Sequence, residues 1–293
     1  MFAQACVLVR QFMQPVIVSI RFYDKTTACN GGNFVVLNEE GWIITVAHLF
    51  ESFQAFRKHA EEIKEFQTNQ QAAQEKPWLT AKQKRKKLHS FKANPHWITN
   101  HSFWWGKDGV SVKDIKVLPE ADLAVGRLEP FDPTSVKTYP TIKDPITNLN
   151  PGTSLCKLGF PFHELKTSFD EATGNFKLPP GVLPVPLFPL EGIFTRNVLA
   201  GKSKDERYEI KWLETSSPGL RGHSGGPIFD TKGTVWAIQS RTHHFPLGFS
   251  PKVTKDGKEV EEHQFLNVGL GLHPELIVLF LRDNGIKFKL SDY

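Results

Sequence analysis

Cysteine is scarce in this chain: Cys6, Cys29 and Cys156 are the only three in 293 residues. Three scattered cysteines exclude a disulfide framework and offer no paired spacing for a metal, and the odd count leaves at least one free thiol. A reducing, cytoplasmic compartment is the simpler expectation. Long apolar runs are also missing, and none approaches the roughly 20 residues of a membrane-spanning helix. The N-terminal MFAQACVLVRQFMQ has no basic leader before its short apolar run and carries Arg10 directly after it, which argues against a secretory signal. A strong charge of one sign is absent: 36 basic against 31 acidic side chains leave +5. That excess permits an acidic partner without demanding one, so nucleic acid is disfavoured as a partner. No internal repeat is visible. What is present is an apolar content of 40%, enough for a large core in one big domain or two packed halves.

From Pro15 to Phe50 the chain reads as β-branched runs punctuated by Asn30-Gly31-Gly32 and Glu39-Glu40-Gly41, an antiparallel meander. Residues 51 to 92 change character. They are rich in Ala, Glu, Gln and Lys, with Phe53, Phe56 and Ile63 at helical separations, and predict a helical insertion. A strand follows at Leu123 to Leu128, then a Pro-containing connector over residues 129–151. Strand signals resume at TSLCKLGFPF. KLPPGVLPVPLFPLEG carries five prolines from Pro179 to Pro189 and predicts an extended surface loop outside any strand ladder. Strands return at YEIKWLET, TVWAIQS and FLNVGLGL. The chain closes on a helix with Pro274 in its first turn and Asn284-Gly285 as its stop. The expected division is a first β half over 1–128, with an insertion at about 51–118, the connector at 129–151, and a second β half with the terminal helix over 152–293.

Hydrolysing an amide at neutral pH needs a nucleophile, a base for its proton, a group that sets the tautomer of that base, and donors for the oxyanion. GLRGHSGGPIFD offers Ser224 as nucleophile. Its glycines would let the backbone N–H groups of Gly222 and Ser224 point where negative charge develops. GWIITVAHLF ends a buried-looking strand on His48. LPEADLAVGRL sets Asp122 at an otherwise apolar strand, where a buried carboxylate needs a partner. Taken singly, each has a plainer reading: a hydrogen-bonded core histidine, a cap aspartate, a loop hydroxyl. Together they stand in the order His, Asp, Ser, with Ser in the second β half.

On these residues the chain resembles the trypsin-like serine peptidases, and within them the protease domain of the HtrA/Deg family. GGNFVVLNEEGWIITVAHLF, EADLAVGRLE, SLCKLGFPF, EGIFTRNVLAG, ETSSPGLRGHSGGPIFDTKGTVWAIQS and NVGLGLHPELIVLFLRDNG are similar to successive elements of that domain. The resemblance implies an all-β, chymotrypsin-like fold: two six-stranded antiparallel barrels, with the helical insertion in the first half and the C-terminal helix after the second. It implies His48 as base, Asp122 as its orienting acid, Ser224 as nucleophile, and Gly222 with Ser224 as the oxyanion donors. The function it implies is a serine endopeptidase acting on protein or peptide substrates through an acyl-enzyme, with no cofactor. The alternative is a non-catalytic binding scaffold of the same fold.

Several departures qualify the match. Position 223 is His, where secreted trypsins have Asp and HtrA-like enzymes usually Asn, so activation by an ion pair with a new N-terminal amine is not expected. No PDZ module is expected after the closing helix. The specificity pocket is expected to have its floor near Pro218, six residues before Ser224, and its wall at Ser240, Arg241 and Thr242. With no acidic residue at the floor, cleavage after Lys or Arg is disfavoured and small or medium apolar side chains are favoured, with Arg221 or Arg241 able to admit acidic groups instead. His243 and His244 lack a third metal ligand at suitable spacing, so no metal is expected. KQKRKKLH sets Lys82, Lys84, Arg85, Lys86 and Lys87 near Trp97, Trp104 and Trp105. That stretch reads first as a solvated helix end beside packed tryptophans, and second as a docking surface for a regulatory protein partner.

Overall fold

β-Branched runs separated by glycine-rich turns fold back on one another. In the computed structural model of the chain, which describes residues 1–147, 149–161 and 165–292, they build two large antiparallel sheets. A short helix α1 (Ala3–Val9) precedes the first sheet. That sheet holds β1 (Met13–Phe22), β2 (Thr27–Val36), β3 (Trp42–Val46), β4 (Ile98–Trp104), β5 (Ser111–Leu118) and β6 (Leu123–Glu129). Its spatial order, β4-β1-β2-β3-β6-β5, curls the six strands into an open half-barrel.

Between β3 and β4 the chain leaves the sheet as α2 (Glu51–Glu75) and α3 (Ala81–Ser90). The root of α2 is tied to β4. Glu62 accepts from Trp97 Nε1 at 2.6 Å, His59 Nδ1 accepts from the Ile98 N–H at 2.9 Å, and Phe53 and Phe56 pack against the His101 ring. Ala73 is the sole buried residue of α2 and α3 has none, so the helical arm stands in solvent beyond its root. Thr80 caps α3 through a reciprocal box with Gln83. The basic cluster on α3 is therefore a solvated helix, while Trp97 and Trp105 pack as ring partners of Phe66, Phe34 and Phe103.

The second half supplies β7 (Thr141–Ile142), β8 (Ser154–Gly159), a small hairpin of β9 (Ser168–Asp170) and β10 (Asn175–Lys177), β11 (Phe188–Lys202), β12 (Glu209–Thr215), β13 (Pro227–Phe229), β14 (Val235–Pro246), the outlying hairpin β15 (Lys252–Lys255) and β16 (Lys258–Glu261), and β17 (Phe265–Leu272). The main sheet runs β13-β8-β11-β12-β17-β14, and a β13–β14 pairing closes these six strands into a ring. β7 pairs with β14 in parallel, and a terminal β18 (Lys289–Leu290) pairs in parallel with β7. α4 (Pro274–Asp283) ends at Asn284 and Gly285, the latter at φ 66°. Two-residue strands such as β7 carry no periodicity, and α1 was likewise not anticipated.

The proline-rich segment departs from expectation at its end. Phe188 and Pro189 already lie in β11, opposite Gly159 and Leu158. Pro189 is the second residue of the strand, where a missing N–H is tolerated. Phe162, the last residue of the SLCKLGFPF resemblance, lies outside the described residues.

One cluster of buried side chains runs through both halves. Phe34, Val46 and Leu123 of the first sheet join Leu158, Phe229 and Leu272 of the second, with Leu276, Ile277 and Leu281 of α4. At about 1.5–3 kcal/mol for each large side chain buried, this shared core holds the two sheets together. The loops of the cleft therefore need not do so.

Candidate active site

His48 sits two residues beyond the end of β3, on a 3-10 turn (Ala47–Phe50) that runs on into α2. Its ring Nδ1 lies 2.9 Å from Asp122 Oδ2 and 3.1 Å from Oδ1. The His48 backbone N–H donates to the same Oδ1 at 2.9 Å. Asp122 occupies the left-handed region at φ 55°, between a 3-10 turn and β6, a conformation that Asp tolerates better than most residues. Its carboxylate is buried, and Ser240 Oγ donates to Oδ2 at 2.5 Å. Burial pushes the Asp122 carboxyl up, but the hydrogen bonds and charge of His48 and the bond from Ser240 together outweigh it and hold the pKa below its ordinary value.

Ser224 stands on the loop between β12 and β13. Leu220 to His223 forms a turn closed by the His223 N–H donating to the Leu220 carbonyl at 2.9 Å, with Gly222 third in the turn at φ 98°. That is the position where a type II turn requires positive φ. A side chain on Gly222 would collide with the Phe160 carbonyl. Gly225, at φ 77°, passes so close to the Asn33 carbonyl that a side chain there would overlap it. Positive φ and close approach of a neighbouring carbonyl thus act together at Gly222 and at Gly225. Among the described residues, neither the Gly222 nor the Ser224 N–H donates to a protein acceptor.

The loop is pinned from both halves. Asn33, fully buried in β2, donates through Nδ2 to the Gly222 carbonyl at 2.9 Å and to the Ser224 carbonyl at 3.2 Å, while its backbone N–H donates to Ser224 O at 2.8 Å. From the second half, the Phe160 N–H donates to Gly222 O, and the Gly225 N–H donates to Gln239 O. Sequence reasoning passed over Asn33. Its only signal was a polar residue inside an apolar strand beside two glycines.

His48, Gly222 and Ser224 line one cleft of about 350 Å³ with Asn30, Gly31 and Arg221. Among the described residues no hydrogen bond joins His48 to Ser224. Of the residues expected to form the specificity pocket, Ser240 donates its hydroxyl to Asp122 and lines a second hollow with it. Arg241 is exposed and places its guanidinium 4.6 Å from the Trp212 ring centre, and it lines the same hollow with His48 and Asp122. Thr242 Oγ1 donates to the Gly219 carbonyl, next to the half-buried Pro218. His223 is fully buried; burial, then the nearby charge of Lys157, lowers its pKa to about 4. His244 Nδ1 meets Asn267 Oδ1 and His243 stacks near Phe245. Among the described residues no group of three or more His, Cys, Asp or Glu side chains is arranged to hold a metal.

Residues 32–238 match the trypsin-like peptidase domain, and the chain belongs to that family. Among solved structures, a variant of the HtrA-type protease AlgW with a tripeptide superposes at a TM-score of 0.50 and 13% identity, over 98% of this chain and 64% of its own. The same variant with a decapeptide gives 0.50 at 12% identity, over 97% and 68%. The active form of the Rv3671c protease from M. tuberculosis gives 0.48 at 11% identity, over 98% and 86%. At these identities the likeness is one of fold. The chain spans less than two-thirds of the length of the first of these structures. No curated protein matches it in sequence.

Proposed function

We propose that the protein is a serine endopeptidase in which His48, Asp122 and Ser224 act together and the N–H groups of Gly222 and Ser224 hold the oxyanion. The observation that carries this reading is the double contact of His48 Nδ1 with the Asp122 carboxylate. A carboxylate only accepts, so Nδ1 bears the proton and Nε2 keeps its lone pair for the Ser224 hydroxyl. His48 Nε2 takes the hydroxyl proton of Ser224 as Oγ attacks the substrate carbonyl, then passes it to the leaving amine. Water, deprotonated in turn by His48, releases the acyl group. The unengaged N–H groups of Gly222 and Ser224 stabilise the charge at each tetrahedral stage.

Regulation by a protein partner belongs to the same proposal. α2 begins three residues after His48, so a partner that tilts the solvent-exposed arm acts directly on the turn carrying the base. A cytoplasmic setting belongs to the same proposal and is supported by three free cysteines.

The test is labelling with a fluorophosphonate probe, wild type beside Ser224→Ala. Label on the wild type that is lost in the variant is the expected outcome. A wild type that takes no label, alone or with protein partners, would leave the binding-scaffold reading in its place.

A further inference from the structure

Lys157 lies in β8 with its side chain inside the second barrel, 1% exposed. Its ammonium donates to the Ser217 carbonyl. Among the described residues no carboxylate pairs with it. An ammonium has three donors and a full charge, and one neutral carbonyl compensates little of either. Burial lowers the Lys157 pKa to about 7.

The place of this charge is specific. Ser217 and Gly219 belong to the segment that leads to Ser224, and Gly269 of β17 pairs with Thr242 of β14. Gly219 and Gly269 have no side chains, and the space theirs would occupy is already taken, by the Gln239 amide nitrogen at Gly219 and by the Lys157 ammonium at Gly269. Gln239 is itself 1% exposed, with Oε1 unpaired, and Thr242 Oγ1 bridges to Gly219 O on the outer side. The Gln239 amide spends its two N–H groups on the Arg241 and Leu270 carbonyls, so the donor with capacity to spare at the inner end of the slot between the Ser217–Gly219 segment and β14 is the Lys157 ammonium. Arg221 and Arg241 are both exposed, Arg221 in the cleft with His48 and Ser224 and Arg241 in the hollow with His48 and Asp122.

We propose that Lys157 determines the specificity of the site: the substrate residue on the amino side of the cleaved bond is acidic, and its carboxylate meets the Lys157 ammonium in this slot. The proposal rests on the peptidase reading above. It departs from the favoured expectation of a small or medium apolar preference and takes up the acidic alternative, with Lys157 as the cation in place of Arg221 or Arg241. Admission of the side chain exchanges the Thr242–Gly219 bond, a neutral one, for charge-assisted bonds, which are roughly twice as strong. It also gives a buried cation the counter-ion it lacks.

Binding is measured by titration calorimetry on the Ser224→Ala protein with three tripeptides that differ only in their last residue, Glu, Gln or Ala. Hydrolysis by the wild type is measured on fluorogenic peptides with the same three residues before the leaving amine. The Glu peptide should bind at least tenfold more tightly than its uncharged isostere, and kcat/KM should follow the same order. Lys157→Met should erase both differences. The wild-type comparison of Glu with Gln does not depend on the folding of that variant. Equal or weaker binding of the Glu peptide, including no binding at millimolar concentration, overturns the proposal, as does a Glu preference that survives Lys157→Met. Hydrolysis without preference overturns it and leaves the peptidase reading standing. Glu-selective binding by a protein that neither cleaves nor takes the fluorophosphonate supports the acidic slot and removes the peptidase reading instead.

Discussion

The side-chain amide of Asn33 donates to the carbonyl of Gly222 at 2.9 Å, joining the second strand of the first sheet to the turn that aims the expected oxyanion donors. Ser224 O accepts from the same amide. Asn33→Ala removes this brace and leaves each carbonyl with one backbone donor. It should cost about 1–3 kcal/mol of stability, as buried hydrogen-bond losses do, and lower kcat/KM by at least about tenfold through misaimed N–H groups. Asn33→Asp should be worse, because it turns a donor into an anion facing two carbonyl oxygens. Thermal unfolding and steady-state kinetics on both variants check the order.

Gly222→Ala confronts the Phe160 carbonyl and a φ of 98° together. The turn can accept the methyl only by rotating the peptide that presents the Gly222 N–H. Loss of one oxyanion donor costs about 3 kcal/mol of barrier in another protease, and the variant should lose kcat/KM by roughly 10²-fold or more. Labelling rate with a fluorophosphonate, measured beside a thermal melt, separates this from unfolding.

Ser240→Ala should move acid sensitivity. The folded Asp122 pKa lies below its unfolded value of about 3.9. Its contribution to stability is therefore present above that value and is lost as pH falls through the lower folded value. Removing the Ser240 donor leaves burial less opposed, raises the folded pKa and shifts the loss to higher pH. Denaturant unfolding of wild type and variant between pH 2 and pH 6, an interval of about four units around the carboxylate range, reads this directly.

Lys157→Met should change the alkaline side. A buried ammonium with a folded pKa of about 7 against about 10.4 unfolded penalises the folded state at low pH. Because the unfolded chain binds more protons in that window, wild-type stability should rise with pH between those two values. The variant should be at least as stable at pH 7 and lack that rise, which urea titrations at successive pH values would show.

Neutralising Lys82, Lys84, Arg85, Lys86 and Lys87 to Gln should leave the fold intact, since α3 buries none of its residues. Its stability should change by no more than about 0.5 kcal/mol. A partner that docks on the arm should lose affinity for this variant in a pull-down with unchanged basal labelling.

Local signals carried much of the site. His48 follows a β-branched strand, Asp122 opens another, and the Gly-rich loop around Ser224 announces a backbone under conformational demand, because each feature lies within a few consecutive residues. Asn33, Gln239 and Lys157 were not legible in the same way. Each is a polar residue in a strand, and whether its head faces water, a carbonyl or a slot depends on strands far away in the chain. Ser240 shows the limit clearly, since its position beside the expected pocket was readable but the direction of its hydroxyl was not.

What the amino-acid order determined by itself was the alternation of strand and turn, the solvated helical arm, and the residue types able to perform acyl transfer. Folding in three dimensions decided which of them meet: 74 residues separate His48 from Asp122, and 118 separate Asp122 from Ser240. Short-range periodicity and turn chemistry are properties of neighbours along the chain, whereas the register between sheets and the burial of the Lys157 ammonium arise only when the shared core closes.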